Sequence, residues 1–183
     1  MFADCLPHYE EHLRLQRNLS EHTIRAYLGD LTSLFAHSAA LGIASVDQLT
    51  LAAIRAWLAT QQSKGGARTT IARRAVAVRT FTAWATKNNL MAEDVGERLA
   101  TPKSQRTLPT VLTVSETEEV FNSLESALGE ESEPHAMRNI AIIELLYSTG
   151  IRVSELCGLD LEDIDRARNT IRVFGKGRKE RTV

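Results

Sequence analysis

Cysteine and long apolar segments are scarce in this sequence. Only Cys5 and Cys157 occur among its 183 residues, which excludes a disulfide framework and a cysteine-based metal site. No apolar run approaches the roughly 20 residues that cross a bilayer, and the amino terminus lacks the pattern of a signal peptide. We therefore expect a cytoplasmic protein with no membrane partner and no metal.

Acidic residues are missing from a long central stretch. No aspartate or glutamate lies between Asp47 and Glu93. The same window holds the basic residues Arg55, Lys64, Arg68, Arg73, Arg74, Arg79 and Lys87. Such a block indicates a surface that binds a polyanion, and the alternative is a basic face that contacts only solvent.

The net charge of −1 hides an uneven distribution. Residues 1–108 contain 13 Lys and Arg against 9 Asp and Glu, whereas residues 109–183 contain 9 against 14. The near-neutral total therefore does not exclude a nucleic-acid partner, because it averages a basic first part and an acidic second part.

The first hundred residues have the apolar periodicity of a bundle of four or five helices. The predicted helices are residues 6–16, a second capped by Ser20 and stopped by Gly42, a third behind a Ser45–Gln48 capping box, a fourth from Thr69 or Thr70, and a short fifth at residues 92–99. Aromatic residues, 5% of the chain, recur there at helical spacing. We expect their rings in the core rather than stacked on bases.

Residues 101–111 are predicted to be a linker, because they contain two prolines and no helical period. They separate a helical domain, residues 1–100, from a second domain, residues 112–183. In the second domain a Ser115–Glu118 capping box opens a helix to about residue 128, and residues 129–134 form an acidic loop. Both α and β elements are expected after it.

Residues 140–147 are apolar on almost every face, which predicts a helix buried inside the second domain. Gly150 ends this helix, and a short helix follows Arg152. Residues 170–174 are typical of a strand, which turns at Gly175-Lys176-Gly177 into residues 179–183. Arg152 and Lys176 thus lie at two successive corners of the fold.

These two cations have the chemistry of a phosphate site. A guanidinium such as that of Arg152 can bind two nonbridging oxygens of a phosphodiester through parallel hydrogen bonds. A hairpin lysine such as Lys176 can protonate a departing oxygen as a general acid. Nearby Arg178, Lys179 and Arg181 are expected to lower the pKa of Lys176 toward a useful range. The alternatives are an ion pair of Arg152 with Glu155 and a solvated Lys176.

The segments Thr149-Gly-Ile-Arg-Val-Ser-Glu-Leu156 and Phe174-Gly-Lys-Gly-Arg-Lys-Glu-Arg181 resemble the front half of the catalytic domain of tyrosine site-specific recombinases. This is the phage integrase family, and the likeness is to its bacterial XerC/XerD type, with Leu108-Pro109 favouring XerC. The resemblance implies that Arg152 and Lys176 are catalytic, that Glu155 orients the site, and that no ATP, metal or other cofactor takes part.

The segments Leu19-Ser-Glu-His-Thr-Ile-Arg-Ala-Tyr27 and Ala67-Arg-Thr-Thr-Ile-Ala-Arg-Arg74 resemble the core-binding domain of the same family. The implied fold is mainly α: a SAM-like helical bundle, followed by the front half of an α+β catalytic domain that ends in a β-hairpin. The second and fourth helices would lie against double-stranded DNA. The implied DNA-binding residues are His22, Thr23, Arg25, Arg68, Thr69, Thr70, Arg73, Arg74 and Arg79, with Lys103 and Arg106 in the linker.

Arg73 and Arg79 lie about 120° apart on a helical wheel, so they cannot meet the same row of phosphates. Some of the basic residues in this helix must therefore be structural. For the full-length family, the resemblance implies strand exchange through a 3′-phosphotyrosyl intermediate at a recombination site. Its implied partners are a paralogous recombinase in a heterotetramer and a DNA translocase, in chromosome dimer resolution at cell division.

The residues that resemble the family do not include a match to its nucleophile. The family's His-x-x-Arg motif and nucleophilic tyrosine follow the hairpin, and none of Tyr9, Tyr27 and Tyr147 matches that tyrosine. We expect this polypeptide to bind DNA without cleaving it. Two alternatives are a catalytically silent or truncated integrase-like DNA-binding module and a helical protein-interaction scaffold without DNA affinity.

Overall fold

The computed structural model describes residues 2–100, 110–126, 134–175, 177 and 179–183, with Ala3 described by its backbone only. The chain divides into two compact units, Met1–Thr107 and Leu108–Val183. Nearly all of the predicted linker and of the predicted acidic loop lies outside the described residues. None of the helices in the described ranges combines the length and apolarity that crossing a bilayer requires.

The first unit is a helical bundle around one apolar core. Its elements are α1 (Phe2–Glu11), a π-helical turn (His12–Gln16), α2 (Glu21–Ala40), a 3-10 turn (Val46–Gln48), α3 (Leu51–Ser63) and α4 (Arg68–Lys87). The largest fully buried side chains are those of Trp57, Tyr9 and Phe81. The prediction that the aromatic rings form the core is therefore confirmed.

Two helix boundaries follow from local contacts. The Ser20 hydroxyl accepts a hydrogen bond from the Thr23 amide at 3.4 Å, so the predicted cap of α2 is confirmed. Helix α1 begins at Phe2 rather than at residue 6, because Phe2 is buried and its ring stacks on that of Phe35 with centroids 4.3 Å apart. Tertiary packing extends this helix beyond its own periodic segment.

The predicted capping box of α3 is wrong. Ser45 makes no side-chain cap, and residues 46–48 form a 3-10 turn that buries Val46 and Leu49 on one side. The cap of α3 is Thr50, whose hydroxyl accepts from the Ala53 amide at 3.2 Å. Burial of two apolar side chains three residues apart selects the tighter turn.

The predicted fifth helix at residues 92–99 is also wrong, since this segment consists of turns. The Asp94 carboxylate accepts a hydrogen bond from the Gly96 amide at 3.0 Å, which competes with helical pairing. A β-carbon at Gly96 would overlap the buried Thr82 hydroxyl and lie 3.2 Å from the Arg79 α-carbon. Close packing against α4 thus requires glycine and an irregular backbone.

The second unit combines three helices with a small antiparallel sheet. Its elements are α5 (Val114–Ser126), α6 (Pro134–Thr149), α7 (Val153–Leu156), a 3-10 turn (Leu161–Asp163), β1 (Ile164–Asp165), β2 (Thr170–Phe174) and β3 (Glu180–Thr182). The strand order is β1-β2-β3. The predicted strand at residues 170–174 is confirmed, whereas β1 was not expected.

Two predictions for this unit are wrong. The capping box of α5 is formed by Thr113 and Glu116, not by Ser115 and Glu118: the Glu116 carboxylate accepts from the Thr113 amide at 2.7 Å. Both pairs have the same spacing, and the helix simply begins at the earlier one. Helix α6 has no fully buried side chain among the described residues. Helices α5 and α7, together with the buried residues Ile151, Ile171 and Val173, cover only part of its apolar surface.

Candidate functional site

The corner between α6 and α7 is built around Arg152 and Glu155. Gly150, with φ +61°, ends α6, and Arg152 then precedes the first turn of α7. The Glu155 carboxylate accepts from the Arg152 amide at 2.7 Å, which closes this turn as a helix cap. The predicted position of Arg152 at the start of a short helix is confirmed.

Among the residues that the structure describes, a single contact holds the side chain of Arg152. Its Nη1 donates to Glu155 Oε1 at 2.9 Å, while 67% of the side chain is exposed and that of Glu155 only 3%. A guanidinium has five N–H groups, so the contacts of the described residues leave most of its donors for a ligand. The ion pair considered as an alternative therefore exists, and its carboxylate is buried.

A second arginine, which the sequence reasoning treated only as a nearby charge, completes this cluster. Arg181 of β3 donates from Nη1 to Glu155 Oε1 at 2.7 Å and from Nη2 to Oε2 at 2.8 Å. Arg181 pairs with Val173 across the β2–β3 ladder. Arg181 therefore lies on the same face of the sheet as the buried Val173. The alternation of side chains along a strand predicts this placement.

The hairpin packs against the same carboxylate. The Gly175 amide donates to the Lys179 carbonyl at 2.7 Å, which closes the hairpin base. A β-carbon at Gly175 would lie 3.4 Å from Glu155 Oε1 and 3.3 Å from Arg181 Nη1. Glycine thus allows the turn to approach the ion cluster closely. Lys176 and Arg178 lie outside the described residues, so the role of Lys176 stays a prediction.

The two arginines hold the pKa of Glu155 far below its ordinary value. The side-chain hydrogen bonds from Arg181 are the largest cause and the Arg152 amide is the next, and together with smaller contributions they lower the pKa from 4.5 to about 2. Glu155 is therefore ionised at neutral pH and accepts hydrogen bonds only. A neutral, donating carboxyl group is excluded there.

We expect acid to destabilise the second unit through Glu155. Because the folded-state pKa is depressed, the stabilisation is complete above pH 4.5 and is lost as the pH falls toward about 2. Urea unfolding of the chain and of Glu155→Gln across this range should show a steeper loss in the unchanged chain. The exposed Glu125→Gln is the control, and equal pH dependence in all three proteins would contradict the expectation.

In the first unit, the two adjacent arginines Arg73 and Arg74 bind the buried carboxylate of Asp30. Arg73 Nη1 contacts Asp30 Oδ2, and Arg74 Nε donates to Asp30 Oδ1 at 3.2 Å. Arg74 also donates to Gln61 Oε1 at 2.6 Å and lies over the Trp57 ring. These contacts join α2, α3 and α4, so both arginines have a structural role.

The other proposed DNA-binding residues lie in differing environments. His22, Arg25, Arg68 and Thr69 are exposed on α2 and α4, whereas Thr23 and Thr70 are half-buried. Arg79 is half-buried and donates to the Leu99 carbonyl at 3.5 Å. Lys103 and Arg106 lie outside the described residues. Among the members of this set that the structure describes, Arg25 and Arg68 are the exposed cations.

We expect Asp30→Ala to destabilise the first unit by about 2 kcal/mol, because it removes the acceptor shared by two partly buried guanidinium groups. Urea denaturation followed by tryptophan fluorescence would measure the change. Asp47→Ala, at an exposed residue of the same unit, is the control and should shift the free energy of unfolding by less than about 0.5 kcal/mol. Equal effects of the two variants would contradict the structural role of Asp30.

No group of three or more His, Cys, Asp or Glu side chains in the described ranges could hold a metal ion. The exposed functional groups are instead the guanidinium groups of arginines, which can bind an anion. In the second unit an exposed guanidinium is paired with a buried carboxylate, and in the first unit exposed arginines lie on α2 and α4.

Comparison with known proteins places the whole chain in one lineage. Residues 6–89 match the phage integrase N-terminal SAM-like domain, and residues 110–183 match the phage integrase family. Tyrosine recombinase XerC of Mycobacterium bovis (strain BCG / Pasteur 1173P2) is 52% identical over 178 residues, which are 97% of this chain and 59% of that protein. The chain therefore spans about three-fifths of the length of the curated relatives it matches.

Solved structures show the same fold. A lambda integrase (75–356) dimer bound to a COC′ core site has a TM-score of 0.75 at 19% identity, covering 99% of this chain and 61% of that chain. A lambda integrase tetramer bound to a Holliday junction has a TM-score of 0.74 at 20% identity, covering 99% and 49%. The fold class expected from the sequence is confirmed.

Proposed function

Since this chain belongs to the XerC-type tyrosine recombinases of the phage integrase family, we propose that it forms the DNA-binding part and half of the catalytic site of a site-specific recombinase. The reaction would cleave and rejoin DNA strands through a 3′-phosphotyrosyl intermediate. The observation that carries this proposal is the exposed guanidinium of Arg152, fixed by the buried carboxylate of Glu155.

The geometry of Arg152 suits a phosphodiester under attack. As a nucleophile adds to phosphorus, negative charge concentrates on the two nonbridging oxygens, and a planar guanidinium can donate to both. Anchoring one N–H to Glu155 reduces the entropy lost when the remaining donors bind. In this scheme Lys176 would protonate the departing 5′ oxygen, a role that rests on the family resemblance.

The first unit is proposed to bind duplex DNA through α2 and α4. Support comes from the exposed Arg25, Arg68 and Thr69 and from the absence of acidic residues between Asp47 and Glu93. The similar lambda integrase structures contain DNA, as a dimer on a core site and as a tetramer on a Holliday junction. We also propose that copies of this chain assemble with one another on DNA.

Four further proposals rest on the resemblance to recombinases of the XerC/XerD type. They are chromosome dimer resolution at cell division, a paralogous recombinase as partner in a heterotetramer, a DNA translocase as a further partner, and a cytoplasmic location. All of them concern the whole recombinase. The match covers only 59% of the length of the Mycobacterium bovis relative.

A polypeptide of residues 1–183 is proposed to bind DNA without cleaving it. Tyr9 is buried in the core of the first unit, where burial raises the pKa of its hydroxyl, and Tyr27 is half-buried there. Tyr147 is 69% exposed on α6, contrary to the expectation that this helix is buried. It precedes Arg152 in the chain, so it does not match the family's nucleophile, which follows the hairpin.

Two measurements on the purified chain test this function. In gel shifts with labelled duplex DNA, affinity should fall steeply as salt rises, because phosphate contacts release counterions. Incubation with nicked suicide duplexes should leave no covalent protein–DNA adduct. A covalent adduct would overturn the proposed inactivity, and no binding even at low salt would favour the protein-interaction scaffold.

A further inference from the structure

The Glu155 carboxylate has no acceptor site to spare. A carboxylate offers about four lone-pair positions, and Glu155 receives four hydrogen bonds. Two come from the Arg181 guanidinium, one from the Arg152 amide and one from the Arg152 side chain. Its side chain is only 3% exposed, so water cannot easily replace any of these donors. Arg181 therefore limits how many N–H groups of Arg152 the carboxylate can accept.

We propose that Arg181 is a positioning residue that keeps Arg152 available for phosphate, by occupying both oxygens of Glu155. This inference rests on the proposed phosphodiester-binding role of Arg152. Without Arg181, the freed lone pairs of Glu155 can accept a second N–H from Arg152. The pair then becomes bidentate, and the donors that should meet the nonbridging oxygens are turned toward the carboxylate.

Charge acts in the same direction. Arg152, Arg181 and Glu155 together carry one net positive charge, which favours an anionic ligand. Removal of Arg181 leaves a neutral Arg152–Glu155 pair, whose attraction for phosphate is much weaker. Arg181 also belongs to β3, and Gly175 at the hairpin base lies against the same carboxylate. Through its hydrogen bonds to Glu155, Arg181 connects β3, the strand after Lys176, to the corner that carries Arg152.

The test uses the whole 183-residue chain and inorganic phosphate as the probe. The Nε–Hε signal of Arg152, assigned by its loss in Arg152→Lys, is followed by ¹⁵N NMR during a phosphate titration. Arg181→Met should weaken phosphate binding at Arg152 by about tenfold. Arg181→Lys, which keeps the charge and one hydrogen bond, should weaken it by only about threefold.

Arg172→Met is the matched control. Arg172 lies on the neighbouring strand and binds Asp163 Oδ1 through Nε at 3.1 Å and Nη2 at 2.9 Å, without touching Glu155. Its loss removes the same charge from the same sheet and should change phosphate affinity at Arg152 by less than about twofold. An equal loss in Arg172→Met and Arg181→Met would overturn the inference.

The outcomes separate this inference from the proposed function. If the unchanged chain shows no phosphate-dependent shift of Arg152, the proposed role of Arg152 fails and the inference fails with it. If that shift is present and Arg181→Met binds phosphate as well as the unchanged chain, only the inference is overturned. Should Arg181→Met lose the β2–β3 amide signals, Arg181→Lys decides, and unchanged affinity in it overturns the inference.

Discussion

Replacement of Trp57 by alanine is expected to destabilise the first unit by about 4 kcal/mol. Trp57 is fully buried in the core between the helices of the bundle, and its indole Nε1 donates to Ser33 Oγ at 3.1 Å. Alanine would leave a large cavity and an unpaired hydroxyl. Since a domain of this size is stable by only about 5–15 kcal/mol, the loss should bring the unit close to unfolding.

The position of Trp57 links this loss to DNA binding. Its ring lies under Arg74, with the guanidinium carbon 5.7 Å from the ring centroid, and Ser33 belongs to α2. The same side chain therefore supports both helices that are proposed to face DNA. We expect the alanine variant to lose most DNA affinity at temperatures where the unchanged chain binds.

Urea denaturation and gel shifts on the same samples would measure both effects. Trp57→Phe, which keeps a buried ring but loses the hydrogen bond, should cost about 1–2 kcal/mol. Leu41→Ala is the control, because Leu41 is 56% exposed in the same unit. A change in unfolding free energy equal to that of Leu41→Ala would show that Trp57 does not support the bundle.

The double variant Arg25→Ala/Arg68→Ala is expected to weaken DNA binding by about a hundredfold at low salt. Both residues are exposed, one on α2 and one on α4, and no ion pair of either is found among the described residues. Each can therefore offer its full charge to a phosphate. The slope of log affinity against log salt should become shallower by about 2.

The matched control removes the same charge from other parts of the first unit. Arg17, which precedes α2, and Arg98 of the final turns are exposed and lie outside the two proposed DNA-facing helices and outside the window without acidic residues. Arg17→Ala/Arg98→Ala should reduce affinity by less than about threefold, through long-range electrostatics alone. Similar losses in the two double variants would mean that net charge, rather than α2 and α4, determines binding.

Local sequence signals were sufficient where one chemical feature defines the backbone. Ser20 at the start of α2 and Gly150 at the end of α6 were predicted correctly, because a cap or a positive φ depends on neighbouring residues only. The strand at residues 170–174 was predicted from alternation. By contrast, Thr113–Glu116 and Ser115–Glu118 are two overlapping capping boxes with the same spacing. The sequence therefore could not show which of them starts α5.

Two predictions that depended on packing were wrong. The irregular segment at residues 92–99 follows from the fit of Gly96 against the buried Thr82. Likewise, the apolar sequence of α6 did not reveal how little of its surface the described neighbours cover. Both depend on residues distant in the chain, and periodicity does not carry that information.

The sequence by itself determined the family, the division of basic charge and the corner that carries Arg152, because these depend on residue types at short spacing. Only the tertiary structure decided which cations are available. It paired Arg73 and Arg74 with Asp30, across more than 40 positions, and Arg181 with Glu155, across 26. An arginine's partner is set by which carboxylate the fold buries beside it, and burial is a property of the packed chain.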